Sequence, residues 1–210
     1  MIKILIADDH AIVREGLKQI VAETSDLVVA DEASTGHEVL NKALKNDYDV
    51  VVLDITMPGI NGIDVLKQIK SQRPELSVLV LSIHPEEQYA VRALKAGASG
   101  YLTKESAPDE LIAAIRKVSV GKKYVSPSLA EKLVFELEID HKKPLHETLS
   151  DREYQVMCMI ASGEMLNEVA DELYLSVKTI STYRTRILEK MNMKSNIELT
   201  RYAIKHGLIE

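Results

Sequence analysis

The chain is poor in the residues that staple small folds or line apolar pockets. Its 210 residues include one cysteine, one phenylalanine and no tryptophan. The single thiol, Cys158 in the apolar run VMCMIA, excludes an internal disulfide framework and a multi-cysteine zinc site, and it reads as a buried core residue. No apolar run reaches the roughly 18 residues that a membrane-spanning helix needs. The opening MIKILIADD lacks the basic stretch and long apolar region of a secretory signal, so no membrane and a cytoplasmic location are expected. An overall basic excess is missing too. The formal net charge of −6 would by itself argue against nucleic acid.

Distribution changes that last inference. Residues 1–120 hold 13 Lys/Arg and 18 Asp/Glu, whereas residues 176–194 hold five basic residues (Lys178, Arg184, Arg186, Lys190, Lys194) and one acid, Glu189. For an element that enters a groove, such local positive charge matters more than the total. The hydrophobic share of 46% supplies enough apolar matter for packed cores, in one large domain or two small ones.

Over residues 1–120 two periods alternate. Apolar runs at 2–7, 27–30, 50–53, 77–82 and 100–102 are separated by amphipathic stretches at 11–23, 36–47, 61–72, 86–97 and 108–119. Five strands alternating with five helices form a doubly wound α/β pattern. Pro74 after the third helix, Gly97 at a helix C′ position and Pro108 at a helix start agree with it. Past Gly121 the strand pattern stops. Residues 121–148 read as a linker with a helix over about 126–138, opened by Ser126 and Pro127; the polar run IDHKKPLHET follows. From 149 to 210 the chain reads as helical, in segments 151–162, 165–174, 177–191 and 196–206.

Chemistry gathers at the strand ends. The first strand ends in Asp8-Asp9, the third in Asp54, the fourth in Ser82, and Lys104 follows the fifth. If the sheet is parallel these side chains converge at its carboxyl edge, where open α/β sheets bind ligands. Three carboxylates together repel unless a cation neutralises them, and a hard, all-oxygen set favours Mg²⁺. A carboxylate beside Mg²⁺ can attack a phosphoryl group, and an ammonium can meet its oxygens. Singly, an Asp in such a place caps a helix, a Lys is solvated and a Ser forms a turn; the joint placement carries the reading.

The motifs ILIADDH, VVVLDITMPGING, VLVLS and GASGYLTK, in this order and spacing, resemble a response-regulator receiver domain over residues 1–120. The resemblance implies a flavodoxin-like, five-stranded parallel sheet of order 2-1-3-4-5. It also implies that Asp54 accepts the phosphoryl group. Asp9, Asp54 and the Thr56 backbone carbonyl would ligate Mg²⁺, with Asp8 acting through water. Ser82 and Tyr101 would form a switch pair, and Lys104 would bind a phosphoryl oxygen. Such a domain is not an enzyme in the ordinary sense but a phosphoacceptor that assists its own Mg²⁺-dependent phosphorylation and dephosphorylation.

Residues 165–192 show a short amphipathic helix, a turn near Leu175-Ser176 and a longer basic helix, a helix-turn-helix pattern. On a helical wheel Ile180, Tyr183, Ile187 and Met191 share one side, with Lys178, Ser181, Thr182, Thr185 and Glu189 opposite and Arg184, Arg186 and Lys190 on the shoulders. Hydroxyls outward with flanking cations suit base edges and phosphates in a major groove. The candidate DNA-contacting set is Lys178, Thr179, Ser181, Thr182, Tyr183, Arg184, Thr185, Arg186 and Lys190.

LSDREYQVMCMIASG and VADELYLSVKTISTYRTRILEKMN resemble a LuxR-type, all-α four-helix DNA-binding domain, and the whole chain resembles the NarL/FixJ response regulators. The likeness implies a transcription regulator in which phosphorylation controls dimerisation and binding to double-stranded DNA, with a sensor histidine kinase and RNA polymerase as further partners. One stretch departs from the pattern. Met165-Leu166-Asn167-Glu168-Val169-Ala170 stands where a Ser-Asn-Lys-Glu-Ile-Ala-like run is common, so phosphate contacts from that helix start are not carried over.

Two competing classes fit less well. An aspartyl-phosphate phosphatase or phosphotransferase needs a second acid near the nucleophile, but Thr56 occupies the position two residues on and no cap insertion follows. A sensor of a small signal molecule needs an aromatic-lined pocket, which eight Tyr and one Phe supply poorly, and it leaves the acidic strand ends unexplained.

Overall fold

Parallel pairing organises the first part of the chain. A computed structural model describes residues 1–57, 60–127, 129–131 and 144–209. Strands β1 (Ile2–Ala7), β2 (Leu27–Ala33), β3 (Val50–Asp54), β4 (Ser77–Ser82) and β5 (Gly100–Thr103) form one sheet in the order β2-β1-β3-β4-β5. Every neighbouring pair is parallel. Parallel strands need crossovers, which are α1 (Ala11–Ala22), α2 (Gly36–Lys45), α3 (Gly62–Gln72) and α4 (Glu86–Lys95), with α5 (Ala107–Ser119) after β5.

Burial follows the strand period of two. Ile4, Ile6, Val50, Val52, Leu79, Leu81 and Leu102 pack against Leu17 and Val21 of α1 and Leu111, Ala114, Ile115 and Val118 of α5. The alternate residues Leu5, Val51, Leu53, Val78 and Val80 are also fully buried and belong to the opposite face. β2 runs three residues beyond its apolar core. As an edge strand it keeps pairing with β1 through polar Asp31 and Glu32, after a register shift between Ile4 and Leu5. Pairing rather than composition sets its end.

The chain divides into two compact units, Met1–Val134 and Phe135–Glu210. Where the linker helix is expected to begin, the Leu129 N–H donates to Ser126 Oγ at 3.2 Å; residues 132–138 of that expected helix, like the Pro58-Gly59 turn, lie outside the described residues. Among the described residues the second unit contains a 3₁₀ turn (Leu145–Thr148) and four helices, α6 (Asp151–Ala161), α7 (Leu166–Glu172), α8 (Val177–Lys190) and α9 (Asn196–Lys205). α6 is the central one, packed on α8 and α9, and carries the buried Cys158. Its start is a full capping box: Ser150 accepts from the Glu153 N–H while Glu153 accepts from the Ser150 N–H. Among the described residues no helix is long and apolar enough to cross a membrane.

Helix ends reveal one strained residue. Gly97, Gly163 and Gly207 take positive φ just past α4, α6 and α9, where a left-handed residue lets the chain close back on the last turn. Asn192 does so after α8, and Tyr174, with φ +54°, does so after α7. The bonds Leu175 N–H to Ala170 O (2.8 Å) and Tyr174 N–H to Asp171 O (3.2 Å) hold that turn closed. A bulky residue is disfavoured in this conformation, and Tyr174 is 57% exposed. Tyr174→Gly should therefore stabilise the second unit by about 0.5–1 kcal/mol in chemical denaturation. An unchanged or lower midpoint would mean that the tyrosine's own contacts outweigh the backbone strain.

Candidate functional site

Register assembles the acidic pocket. Ala7 pairs with Leu53, so the next residues on both strands, Asp8 and Asp54, lie side by side. Asp54 pairs with Leu81 and Ser82 with Thr103, which puts Ser82 and Lys104 on the same edge. Asp8 and Asp54 are almost wholly buried. Lys104 reaches across to both, its Nζ 2.6 Å from Asp8 Oδ2 and 2.7 Å from Asp54 Oδ2. The remaining Asp54 oxygen accepts the Thr56 N–H at 2.8 Å, and Asp8 Oδ1 accepts the His10 N–H at 2.9 Å.

Burial pushes the Asp54 carboxyl up to about 6; Lys104 works against that rise and Asp8 adds to it. Burial likewise opposes charge on Lys104, but the two carboxylates outweigh it and raise its pKa. Three carboxylates against one ammonium leave two negative charges, a demand that a divalent cation meets. Asp8, Asp9, His10 and Asp54 bring one donor atom each within 4.8 Å of one another, which is the metal-capable cluster found among the described residues.

Two members of this neighbourhood have no role assigned from the sequence. His10 lies with Nδ1 2.9 Å from Asp9 Oδ1 and 3.4 Å from Asp8 Oδ1. Arg14 of α1 donates back to the carbonyls of Asp8 (2.8 Å) and Asp9 (3.3 Å) while its Nε holds Glu32. The only sequence hint for Arg14 was a basic residue one turn into an otherwise ordinary helix. Gly62, behind the pocket, admits no side chain: a Cβ there would stand 2.4 Å from the Ile55 Cα and 2.6 Å from the Asp54 carbonyl.

The expected switch residues are both buried. Ser82 Oγ accepts the His84 N–H at 3.0 Å, and the Tyr101 hydroxyl donates to the His84 carbonyl at 2.8 Å. The His84 ring stacks 4.7 Å from Tyr89, and burial with Lys104 nearby pushes it down to about 4, so it stays neutral.

In the second unit α7, the turn at Tyr174 and α8 form the helix-turn-helix. Ile180 and Ile187 of α8 are buried. Lys178, Ser181, Thr182, Thr185, Arg186 and Lys190 are exposed, and Thr179, Tyr183 and Arg184 half-buried. Ser176, Lys178, Thr179, Thr182, Tyr183 and Arg186 line an open depression of about 320 Å³. Two of the expected shoulder cations are already engaged. Arg184 Nε donates to Asn196 Oδ1 at 2.7 Å, and Lys190 Nζ pairs with the buried Glu153 at 2.6 Å. Burial disfavours charge on Glu153, yet Lys190 and the N–H and hydroxyl of Ser150 hold it below the usual carboxylate range.

Comparison with known proteins follows the same division. The response regulator receiver domain family matches residues 4–116, and the LuxR family of bacterial regulatory proteins matches residues 147–203. The response regulator UvrY of Escherichia coli K12 is 36% identical over 99% of this chain and 96% of its own length. GacA of Pseudomonas protegens is 38% identical over 100% and 99%. The solved structure of RcsB from Salmonella enterica serovar Typhimurium, bound to promoter P1flhDC with the phosphomimetic BeF3-, aligns with a TM-score of 0.60 at 29% identity, covering 96% of this chain and 97% of that one.

The raised carboxyl of Asp54 has a consequence for stability. The folded chain holds this proton more tightly than the ordinary 3.8 allows, so the contribution of Asp54 to stability falls as pH rises from about 4 to about 6. With divalent cations chelated, Asp54→Asn should be more stable than the parent protein at pH 7.5 by about 1–3 kcal/mol. The gap should close towards pH 4. Thermal unfolding across that range checks it, and a gap constant with pH would refute the electrostatic origin.

Proposed function

The chain belongs to the response regulators that join a receiver to a LuxR-type DNA-binding domain, and from that premise we propose that phosphorylation of Asp54 controls its dimerisation and its sequence-specific binding to double-stranded DNA. The observation that carries this reading is the joint grip of Lys104 on the buried Asp54 and Asp8 at the carboxyl edge of the sheet.

In this reading an oxygen of Asp54 bonds to phosphorus as the donor's leaving group departs. A sensor histidine kinase supplies the phosphoryl group in the cell. Asp9, Asp54 and the Thr56 carbonyl would hold Mg²⁺, with Asp8 acting through water, and a set of hard oxygens suits that ion. When bound, Mg²⁺ offsets charge on the phosphoryl oxygens. Lys104 gives up its carboxylate partners for a phosphoryl oxygen. The Ser82 hydroxyl turns to another, and Tyr101 follows the loop at His84. Loss of the phosphoryl group to water, assisted by the same residues, ends the signal.

The second unit then acts as a DNA reader that contacts RNA polymerase at its target promoters. Lys178 and Arg186, exposed at the rim of the depression on α8, meet phosphates; Ser181, Thr182 and Thr185 face base edges. Arg184 and Lys190 would first have to leave Asn196 and Glu153, so their contribution to binding is secondary.

Two experiments test these roles. Acetyl phosphate with Mg²⁺ should add one phosphoryl mass at Asp54 and convert monomer to dimer in sedimentation; Asp54→Asn and Asp9→Ala should each abolish both effects. Uptake by Asp54→Asn at the parent rate would place the acceptor elsewhere. On DNA, Lys178→Ala and Arg186→Ala should each reduce the slope of log affinity against log salt by about one, leaving stability unchanged. Lys190→Ala should instead destabilise the fold by about 1–3 kcal/mol, because Glu153 is left buried without its cation. Equal salt slopes across all three variants would dismiss this division of labour.

A further inference from the structure

After α5 the chain turns back across the open edge of the sheet. Tyr124 bridges Gly100 of β5 in parallel, its N–H donating to the Ser99 carbonyl at 2.8 Å. Lys123 Nζ donates to the Ala98 carbonyl at 2.6 Å, and the Tyr124 hydroxyl donates to Glu110 of α5 at 2.5 Å. Only a glycine permits the approach, since a Cβ at Gly100 would lie 2.8 Å from both the Tyr124 Cβ and its carbonyl oxygen. Two residues on, the Ser126 hydroxyl donates to Glu86, the first residue of α4. The same oxygen accepts the Leu129 N–H at 3.2 Å, and the Ser126 carbonyl accepts the Ala130 N–H at 3.0 Å. One side chain therefore both starts the linker helix and ties it to the receiver.

The far end of this tie is the phosphoryl pocket. Only residues 83–85 separate Ser82 from Glu86. That short loop hangs on Ser82 Oγ through the His84 N–H and on the Tyr101 hydroxyl through the His84 carbonyl, while the Ser82 carbonyl accepts the Lys104 N–H at 2.7 Å. A Ser82 oxygen that swings towards a phosphoryl group leaves the His84 N–H behind, and the loop, with Glu86 next to it, is then released to shift.

We propose that the Ser126–Glu86 bond, backed by Tyr124 on Gly100 and Glu110, is a latch that pins the start of the linker helix to the receiver and opens when the loop at His84 moves. This rests on the reading of Asp54 as phosphoacceptor. Ser126, Glu86 and Tyr124 are positioning residues that touch none of the reacting atoms. Closed, the latch fixes the chain leaving the receiver; open, it frees the helix that begins at Pro127.

Hydrogen–deuterium exchange of the full chain over residues 121–131 tests the latch, with acetyl phosphate and Mg²⁺ as phosphodonor and mass gain at Asp54 followed in parallel. Glu86→Ala leaves the Ser126 cap intact, and Tyr124→Phe removes only the hydroxyl bond. Without phosphodonor each should raise exchange at Leu129 and Ala130 about fivefold, as the loss of one hydrogen bond would. With phosphodonor the parent protein should rise to the same level and the Glu86→Ala variant should rise no further. Variants that exchange at the parent rate would overturn the latch. So would a phosphorylated parent with unchanged exchange, although Asp54 would still stand as acceptor. Absence of mass gain at Asp54 would overturn that reading and the coupling together.

Discussion

One ammonium facing two buried carboxylates sets the terms for the receiver. Asp8 and Asp54 sit at strand ends where parallel register leaves them no distance from each other. Water cannot screen them, so their charge is tolerable only because Lys104 reaches both. The balance is incomplete, and the incompleteness is the useful part. A residual negative charge makes the pocket receptive to a cation, and under the proposal that Asp54 accepts a phosphoryl group the lysine bonded to it must be displaced. The same displacement is available to Ser82 and, through His84, to Tyr101.

Support for that pocket comes also from groups that do not touch its carboxylates. Arg14 ties down the carbonyls of Asp8 and Asp9 from the first turn of α1, and Gly62 lets the chain pass within touching distance of the Asp54 backbone. Both act on the main chain. They fix where the carboxylates stand, whereas Lys104 governs their charge.

The reader domain handles its cations differently. α8 carries a run of basic residues, but Lys190 neutralises a buried glutamate in the capping box of α6 and Arg184 braces Asn196 at the start of α9. These two cations of α8 thus also tie it to α6 and α9. Lys178 and Arg186 line the depression where Ser176, Thr179 and Thr182 gather.

Much of this was legible in the residues alone. Uninterrupted Val/Leu runs marked β3 and β4 because a strand covered on both faces needs no polar side, and Asp54 and Ser82 stood out as polar residues where those runs ended, as Lys104 did just after β5. The helix-turn-helix was legible for a similar reason, since the period of 3.6 sets Ile180 and Ile187 inward whatever surrounds them. What the sequence by itself determined, then, was each element's own period and the chemistry at its ends. Partners distant in the chain were decided only by the tertiary structure. β2 ends where β1 stops pairing with it, Arg14 turns back to a loop, Lys190 meets Glu153 across 37 residues and Ser126 finds Glu86 across 40. Such pairings depend on register and packing between elements, and no local pattern encodes them.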